Sequence, residues 1–411
     1  MFYSASYRNG VVRDLKNEQL SHIAPPRTFV REAEPMRVLH VHSGNLYGGV
    51  ETTLMAQARH HDLCPAMELS FALCFSGQLS DELESLNAPI HWLGNVRVRQ
   101  PVSVWRARQR LRDLLRRERF SVVVTHSAWS QAIFGPAARE AGVPLAFYMH
   151  GLAHGRHWLE RWASSTPPDI TLCNSRFTAS TISTIYPQAR AEIVYYPVTP
   201  PEQCDLQRGA TTARIELQTR QDATVIIQVS RMEAWKGHAL HLEALSLLKD
   251  LPDWVCWQVG GAQRPGERKY LDELKMTAAR LGIERRVRFL NQRRDVARLL
   301  AAADIFCQPN TGPEPFGIAY IEALYARLPV VTTAFGGACE IVDDTCGELV
   351  LPGNVQMLAT CLRRLIQDRA FRARLGSAGP SRARKLCDPR AQMERMHQAL
   401  APVAQQNQVN A

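Results

Sequence analysis

Glu314-Pro315-Phe316-Gly317-Ile318-Ala319-Tyr320-Ile321-Glu322 is the stretch on which the reading of this chain turns. Pro315 and Gly317 mark a loop running into a helix, and Ile318, Ile321, Leu324 and Tyr325 then recur at helical spacing. The first backbone N–H groups of a helix have no intrahelical partner and carry partial positive charge, so the junction at Phe316, Gly317 and Ile318 forms a seat for a phosphate. Two carboxylates flank that seat. Glu314 lies just before it, and Glu322 lies about two turns into the helix. One reaches a group beyond the phosphate, the other a group behind it. A nucleotide sugar has hydroxyls on both sides of its diphosphate, so the spacing suits such a ligand. The plainer alternative makes Glu314 a helix cap and Glu322 a solvated helix charge.

A basic motif lies upstream. Residues 223–229 read as a buried strand ending in Ser230-Arg231-Met232-Glu233-Ala234-Trp235-Lys236-Gly237-His238, with an apolar-periodic helix from about Ala239 to Leu248. Arg231 and Lys236 therefore sit on a loop at the carboxyl end of a strand, the edge where open α/β sheets bind ligands. Two cations there neutralise a departing diphosphate without a metal. A pair of ordinary surface charges is the alternative.

With both motifs in view, the chain resembles the family 4 retaining glycosyltransferases (glycosyl transferases group 1). The likeness runs from about Met36 to Ile366. It is densest in Arg231, Lys236-Gly237-His238, Val259-Gly260-Gly261, residues 286–290, Ala301-Ala302-Ala303-Asp304, the Glu314–Glu322 stretch, residues 328–331 and Gly336-Gly337. The resemblance implies an α/β fold of the GT-B type, two Rossmann-like doubly wound domains facing a central cleft. It also implies a nucleotide-diphosphate sugar donor, no cofactor, and front-face attack in which the leaving phosphate helps take the acceptor proton. By the same resemblance Arg231, Lys236, Glu314 and His150 are catalytic, with Glu314 on the donor sugar and His150 near it. Gly48, Gly49, Phe316, Gly317, Ile318 and Glu322 bind the donor, Glu322 at the ribose.

Composition fits two globular domains. The chain has 411 residues, 45% hydrophobic and 21% charged. No run of about eighteen apolar residues predicts a spanning helix, and Met1 to Lys16 lack the apolar stretch of a signal peptide. Ten cysteines scattered without Cys-x-x-Cys point to reduced thiols in a cytoplasm. Residues 1–35 read as an extension, 36–198 as the acceptor domain, 199–222 as a proline-marked hinge, 223–375 as the donor domain and 376–411 as a C-terminal helix and tail.

The first domain opens with the strand Arg37-Val38-Leu39-His40-Val41-His42. It leads into the glycine-rich turn Ser43-Gly44-Asn45-Leu46-Tyr47-Gly48-Gly49-Val50-Glu51, which lets backbone approach a phosphate or sugar. The dinucleotide fingerprint is absent from it. Further strands read at 69–75, 121–125, 145–148 and 170–173, with helices between, which predicts a parallel sheet. His150 follows one of these strands; a structural hydrogen-bonding role is the alternative for it. His154 and His157 are not spaced with a carboxylate for a metal, so none is expected. Tyr196-Pro197 stands where the family commonly has Asn-Gly, a departure that bears on the acceptor side and the domain geometry.

Formal net charge is +10. Arginines 97, 99, 106, 108, 110, 112, 116, 117 and 119 cluster in one segment, opposed only by Asp113 and Glu118. Val104, Trp105, Leu111, Leu114 and Leu115 give that segment an apolar face, a pattern suited to an anionic membrane. The alternative is a domain helix packed on the sheet; no recognised nucleic-acid motif accompanies the charge, so nucleic acid is not expected as a partner. The reading is a transferase of sugar onto a sugar or lipid-linked acceptor hydroxyl for polysaccharide or glycolipid synthesis, cytoplasmic and peripheral on the inner membrane face. A nucleotide-sugar epimerase of the same architecture and a non-catalytic nucleotide-sugar-binding subunit remain as alternatives.

Overall fold

The computed structural model describes residues 34–45, 48–201, 203–262 and 264–409. Nearly all of the 1–35 extension, together with Leu46 and Tyr47 of the glycine-rich turn, lies outside them. The chain divides into Met1–Glu34 and Pro35–Ala411, and the architecture below is that of the second unit.

Short apolar segments alternate with helices and build two sheets. The first contains β1 (Met36–His42), β2 (Met67–Leu73), β3 (Ile90–Trp92), β4 (Val122–Thr125), β5 (Leu145–Met149), β6 (Ile170–Cys173) and β7 (Ala191–Ile193), in the order β3-β2-β1-β4-β5-β6-β7. The second contains β8 (Thr224–Val229), β9 (Trp254–Val259), β10 (Val287–Phe289), β11 (Ile305–Gln308), β12 (Val330–Thr333) and β13 (Gly347–Val350), in the order β10-β9-β8-β11-β12-β13. Neighbouring strands pair in parallel throughout; Val38, for example, faces Leu69 on one side and Val122 on the other. Helices cover both faces, so the central strands read as unbroken apolar runs. All of β4 is buried, as is all of β12. Trp257, Tyr148, Phe306 and Tyr320 fill the space between sheets and helices. This is the expected fold, two doubly wound Rossmann-like domains.

Each sheet reverses direction once. The chain moves outward from β1 to β3 and returns to lay β4 on the other side of β1; it repeats the manoeuvre from β8 to β10 and back to β11. With right-handed crossovers the connections leave on opposite faces at these points, and a crevice opens at the carboxyl ends. The loops there are Ser43–Asn45 and His126–Ser127 in the first domain, and Ser230–Gly237 and Pro309–Gly317 in the second.

Within 199–222, residues Gln203–Glu216 form a helix against the helix Val296–Ala301. Arg214 on it donates to Asp304 at 2.7 Å and to the Ala302 carbonyl at 2.9 Å. The C-terminal helix Pro389–Val409 returns to the first domain, where Arg390 donates to the Leu63 carbonyl and Met396 Sδ lies 3.5 Å from Gln57 Nε2.

The arginine-rich segment forms the helix Pro101–Arg117. Its apolar face is spent on the domain core, because Val104, Ala107, Leu111, Leu114 and Leu115 are buried beside Leu39, Val41 and Val123. Three of its cations are also committed internally. Arg108 donates to the carbonyls of Ile133 and Ala132, Arg110 to that of Leu93, and Arg112 pairs with Glu140. The apolar stripe expected to face lipid therefore faces the sheet, apart from Trp105, which is 57% exposed.

Gly237 ends the Lys236 loop with φ 75°, and a Cβ added to it would stand 1.8 Å from the Pro309 carbonyl oxygen. Gly237→Ala is expected to lower stability by about 1–3 kcal/mol or more, from the left-handed backbone and the displaced β11 loop. Chemical denaturation of the purified variant measures it; an unchanged midpoint would mean the loop relaxes freely.

Candidate active site

At the second-domain crevice, β8 runs into Ser230-Arg231, a 3-10 turn spans Ala234–Lys236, and the helix His238–Ser246 follows Gly237. The loop is pinned from two sides. Gln228 Nε2 donates to the Lys236 carbonyl at 2.9 Å, and the Thr311 N–H donates to the Trp235 carbonyl at 2.8 Å. These bonds place Lys236 Nζ 2.6 Å from Glu314 Oε2. Glu314 is 7% exposed, and the same oxygen accepts from Asn310 Nδ2 at 2.9 Å and Gln308 Nε2 at 3.2 Å. A buried carboxylate needs such partners. Arg231, on the same loop, pairs with Glu233 at 3.2 Å and with Glu267, and its Nε–H is buried without a partner among the described residues.

Phe316 is buried, Gly317 takes φ 105°, and the helix Ile318–Tyr325 starts at the next residue, as the spacing predicts. Its open N-terminus faces the other domain: a Cβ on Gly49 would stand 3.7 Å from Ile318 Cδ1. Glu322 stands apart from Glu314. It lines a separate cavity of about 190 Å³ with Thr52, Arg59, Pro197, Thr199 and Ile318. Burial raises its carboxyl to about 7.

The first-domain wall is built on histidines. His42, at the end of β1, has Nε2 2.7 Å from Glu51 Oε1, and the other oxygen of Glu51 accepts from the Gly48 N–H at 2.9 Å. One carboxylate thus ties the strand end to the Gly48-Gly49 turn and to the first turn of the helix Gly49–Arg59. Below it runs a ladder. His40 Nδ1 is 2.8 Å from His126 Nε2, His126 Nδ1 is 2.9 Å from His150 Nε2, and His150 Nδ1 is 2.7 Å from the Tyr196 hydroxyl. Asn174 Nδ2 donates to that hydroxyl at 2.8 Å, so the single tyrosyl proton goes to His150 Nδ1. His150 then carries its own proton on Nε2 and donates it to His126, which donates in turn to His40. Burial, and behind it the neighbouring histidines, hold His126 and His150 well below the usual histidine pKa, so the ladder is neutral. His150 therefore spends both ring nitrogens inside the wall. Those two bonds go to His126 and to the Tyr196 hydroxyl.

The two walls meet directly. Glu340 accepts from the N–H groups of Arg176 and Phe177 at 2.9 and 2.8 Å, and from the Tyr195 hydroxyl at 2.9 Å. Phe316 packs against the rings of Tyr195 and Tyr196 with centroids 5.6 and 5.2 Å apart. Tyr196, at the position of departure, thus joins the histidine ladder to the Phe316 loop. Between the walls lies a cavity of about 520 Å³, lined by His42, Asn45, Gly48, Gly49, Phe75, Trp129, Arg231 and Arg264 among others. Among the described residues no group of three or more His, Cys, Asp or Glu side chains is arranged to hold a metal.

The structure brings Arg231, Gly48 and Gly49 to one cavity, joins Lys236 to Glu314, and sets Phe316 and Ile318 against the first-domain wall. The sequence reading passed over Glu51, His42, Arg264, Glu267 and Glu340. For His42 and Glu51 a signal was present: a polar residue ending an apolar strand, and an acid in the first turn after Gly-Gly. Glu340 carries none, because its partners, two backbone N–H groups and the Tyr195 hydroxyl, lie 145 to 164 residues away.

Residues 210–382 match the family model of the glycosyl transferases group 1, and residues 47–200 that of glycosyltransferase family 4. The chain belongs to these glycosyltransferases. The D-inositol 3-phosphate glycosyltransferase of Nocardioides is 28% identical over 314 residues, 66% of this transferase and 67% of that one. The phosphatidyl-myo-inositol mannosyltransferase of Mycobacterium tuberculosis is 32% identical over 193 residues, 45% of this chain; the match spans about half, 49%, of its relative's length. The crystal structure of Anabaena HepE in complex with UDP and glucose superposes with a TM-score of 0.77 at 24% identity, covering 89% of this chain and 100% of that one, which shows the same fold.

The raised pKa of Glu322 has a signed consequence. A carboxyl whose folded value, about 7, exceeds the ordinary 4.5 holds its proton more tightly when folded. That contribution is complete below the unfolded pKa and is lost as pH rises to the folded one. Glu322→Gln should remove the loss, gaining roughly 1–3 kcal/mol on the wild-type transferase between about pH 4.5 and about pH 8. Urea unfolding at the two pH values reads the difference; parallel stability profiles would contradict it.

Proposed function

We propose that this transferase moves a hexose from a nucleoside-diphosphate sugar to a hydroxyl of a glycolipid or sugar-like acceptor, with retention of anomeric configuration. The observation that carries the reading is the arrangement of the two crevices. Arg231 and the open N-terminus of the helix Ile318–Tyr325 stand on one side of the cleft, and the Gly48-Gly49 turn stands on the other. In this reading Arg231 and Lys236 stabilise the charge that grows on the departing diphosphate, and the backbone at Phe316, Gly317 and Ile318 adds to it. Glu314 holds the donor sugar hydroxyls from a side chain already fixed by Lys236, Asn310 and Gln308. Glu322 holds the ribose. Retention rests on the family resemblance, and the glycolipid acceptor on the names of the inositol and phosphatidylinositol relatives.

The test is turnover of UDP-glucose and GDP-mannose, read as nucleoside-diphosphate release, with the product anomer assigned by NMR. Arg231→Ala is expected to lower turnover on the order of a hundredfold while the protein still folds, with some stability lost because buried Glu267 loses this cation. Lys236→Ala should lose activity similarly and also lose stability, because it leaves the Glu314 carboxylate buried without its cation. Near wild-type turnover in folded Arg231→Ala would remove the clamp from the mechanism.

The transferase is further proposed to work in the cytoplasm, docked on the inner face of an anionic membrane. No helix among the described residues is long and apolar enough to cross one. Support comes from the end of the helix Pro101–Arg117 that the core does not use, where Val102 and Trp105 are 58% and 57% exposed and Arg97, Arg99 and Arg106 are exposed beside them. Each such cation contributes about 1 kcal/mol near an anionic surface. Vesicles containing phosphatidylserine should pellet the protein at about 0.1 M salt and release it near 1 M, as the Debye length falls from about 10 to about 3 Å. Replacing Arg97, Arg99 and Arg106 with Ser and Trp105 with Ala should abolish pelleting; sedimentation unaffected by these changes would place the contact elsewhere.

A further inference from the structure

His42 is the histidine of the first-domain wall that lines the cavity between the domains, and it has a nitrogen to spare. It is 6% exposed, and its partner Glu51 is 5% exposed. A carboxylate only accepts hydrogen bonds, so Glu51 at 2.7 Å holds the imidazole proton on Nε2. That leaves a lone pair on Nδ1, which is buried and has no hydrogen-bond partner among the described residues. Buried acceptors are nearly always matched in folded proteins, and one left unmatched at a cavity is a place where a ligand supplies the donor. His126 and His150, which the ladder saturates, are not in this position.

The cavity has two chemical halves. Arg231 and Arg264 come from the second domain and suit an anionic diphosphate. The first-domain half offers the His42 acceptor, the polar Asn45 and Ser127, and the half-buried ring of Trp129. An apolar ring face beside a small set of fixed hydrogen-bonding groups suits a polyhydroxylated ring.

We propose that His42 and Glu51 form the recognition pair for the acceptor. His42 Nδ1 accepts a hydrogen bond from a hydroxyl neighbouring the one that attacks, so the site reads a vicinal diol of a sugar or cyclitol. Glu51 is a positioning residue that fixes the imidazole's orientation and tautomer while holding the Gly48-Gly49 turn. The pair rests on the glycosyl-transfer reading above and names the acceptor class for it.

The experiment is an internal competition that needs no identified natural acceptor. Wild-type protein is incubated with UDP-glucose or GDP-mannose in an equimolar mixture of glycerol and 1-propanol, and the two glycosides are quantified by mass spectrometry. Glycerol has a hydroxyl beside the attacking one and 1-propanol has none. The wild type should favour glycerol, and His42→Ala should lower the glycerol-to-propanol ratio about tenfold, the loss of one hydrogen bond. His42→Asn, whose side-chain oxygen can stand in for Nδ1, should recover most of the ratio. Glu51→Gln should lower it as well, because an amide has one acceptor oxygen to share between the Gly48 N–H and His42. General damage to the fold lowers both glycosides together and leaves the ratio alone. An unchanged ratio in His42→Ala overturns the proposal, as does a wild type that hydrolyses donor without forming either glycoside. Absence of any turnover of either donor is a failure of the transferase reading, and the proposal falls with it.

Discussion

A parallel sheet covered by helices on both faces has few places where polar chemistry can reach a ligand. The connections leave a crevice where the strand order reverses, at the carboxyl ends of the two strands that diverge. This chain makes that reversal twice, between β1 and β4 and between β8 and β11. The groups assembled in the cleft come from these four strand ends or from loops packed on them. His42 ends β1, His126 follows β4, Arg231 and Lys236 follow β8, and Asn310 and Glu314 follow β11. The apolar strands in between, such as Val122-Val123-Val124, do nothing but hold those ends in register.

Two crevices become one site only if the domains hold each other. Glu340 does much of this. Its carboxylate receives two backbone N–H groups at the start of the first-domain helix Arg176–Thr181, where a negative charge is favoured by the helix dipole and charge-assisted hydrogen bonds are strong. Phe316 sits between this contact and the histidine ladder, against Tyr195 and Tyr196. Phe316 thus touches the ring of Tyr196, whose hydroxyl is hydrogen-bonded to His150. The pair Tyr196-Pro197 fits this role: the tyrosine supplies a ring for Phe316 and a hydroxyl for the wall.

Much of this was legible in the sequence. The helix start at Ile318, the strand-end loop with its two cations, and the alternation that gives parallel sheets all follow from local signals: glycine and proline at junctions, and apolar periodicity. Less came from segments too short to carry a period, such as Ile90–Trp92 and Ala191–Ile193, each of three residues. The proline-flanked stretch 199–222 reads as a hinge because prolines stop regular structure, yet a helix forms within it and packs on a neighbour that the sequence does not point to. The arginine-rich helix misled in another way. Amphipathic spacing says that one face is apolar but not what covers it, and here the sheet does. The histidine ladder was out of reach because its members, 40, 126, 150 and the tyrosine at 196, meet only through strand pairing.

Arg231 and Lys236 are not equivalent cations, and their surroundings say why. Lys236 has a compact charge 2.6 Å from a carboxylate that is almost wholly buried, and the two form a unit that neither partner can leave without stranding the other. Arg231 has side-chain exposure of 34%, lines the cavity, and presents five N–H donors in a planar fork. Two of its nitrogens are oriented by Glu233 and Glu267, and its Nε–H is buried and unmatched among the described residues. Carboxylates that orient a cation before a substrate arrives reduce the reorganisation needed when negative charge develops beside it. In the proposed mechanism Arg231, oriented by its two carboxylates at the cavity wall, is the cation that meets a phosphate oxygen, whereas Lys236 acts through the position it gives Glu314 and through its field.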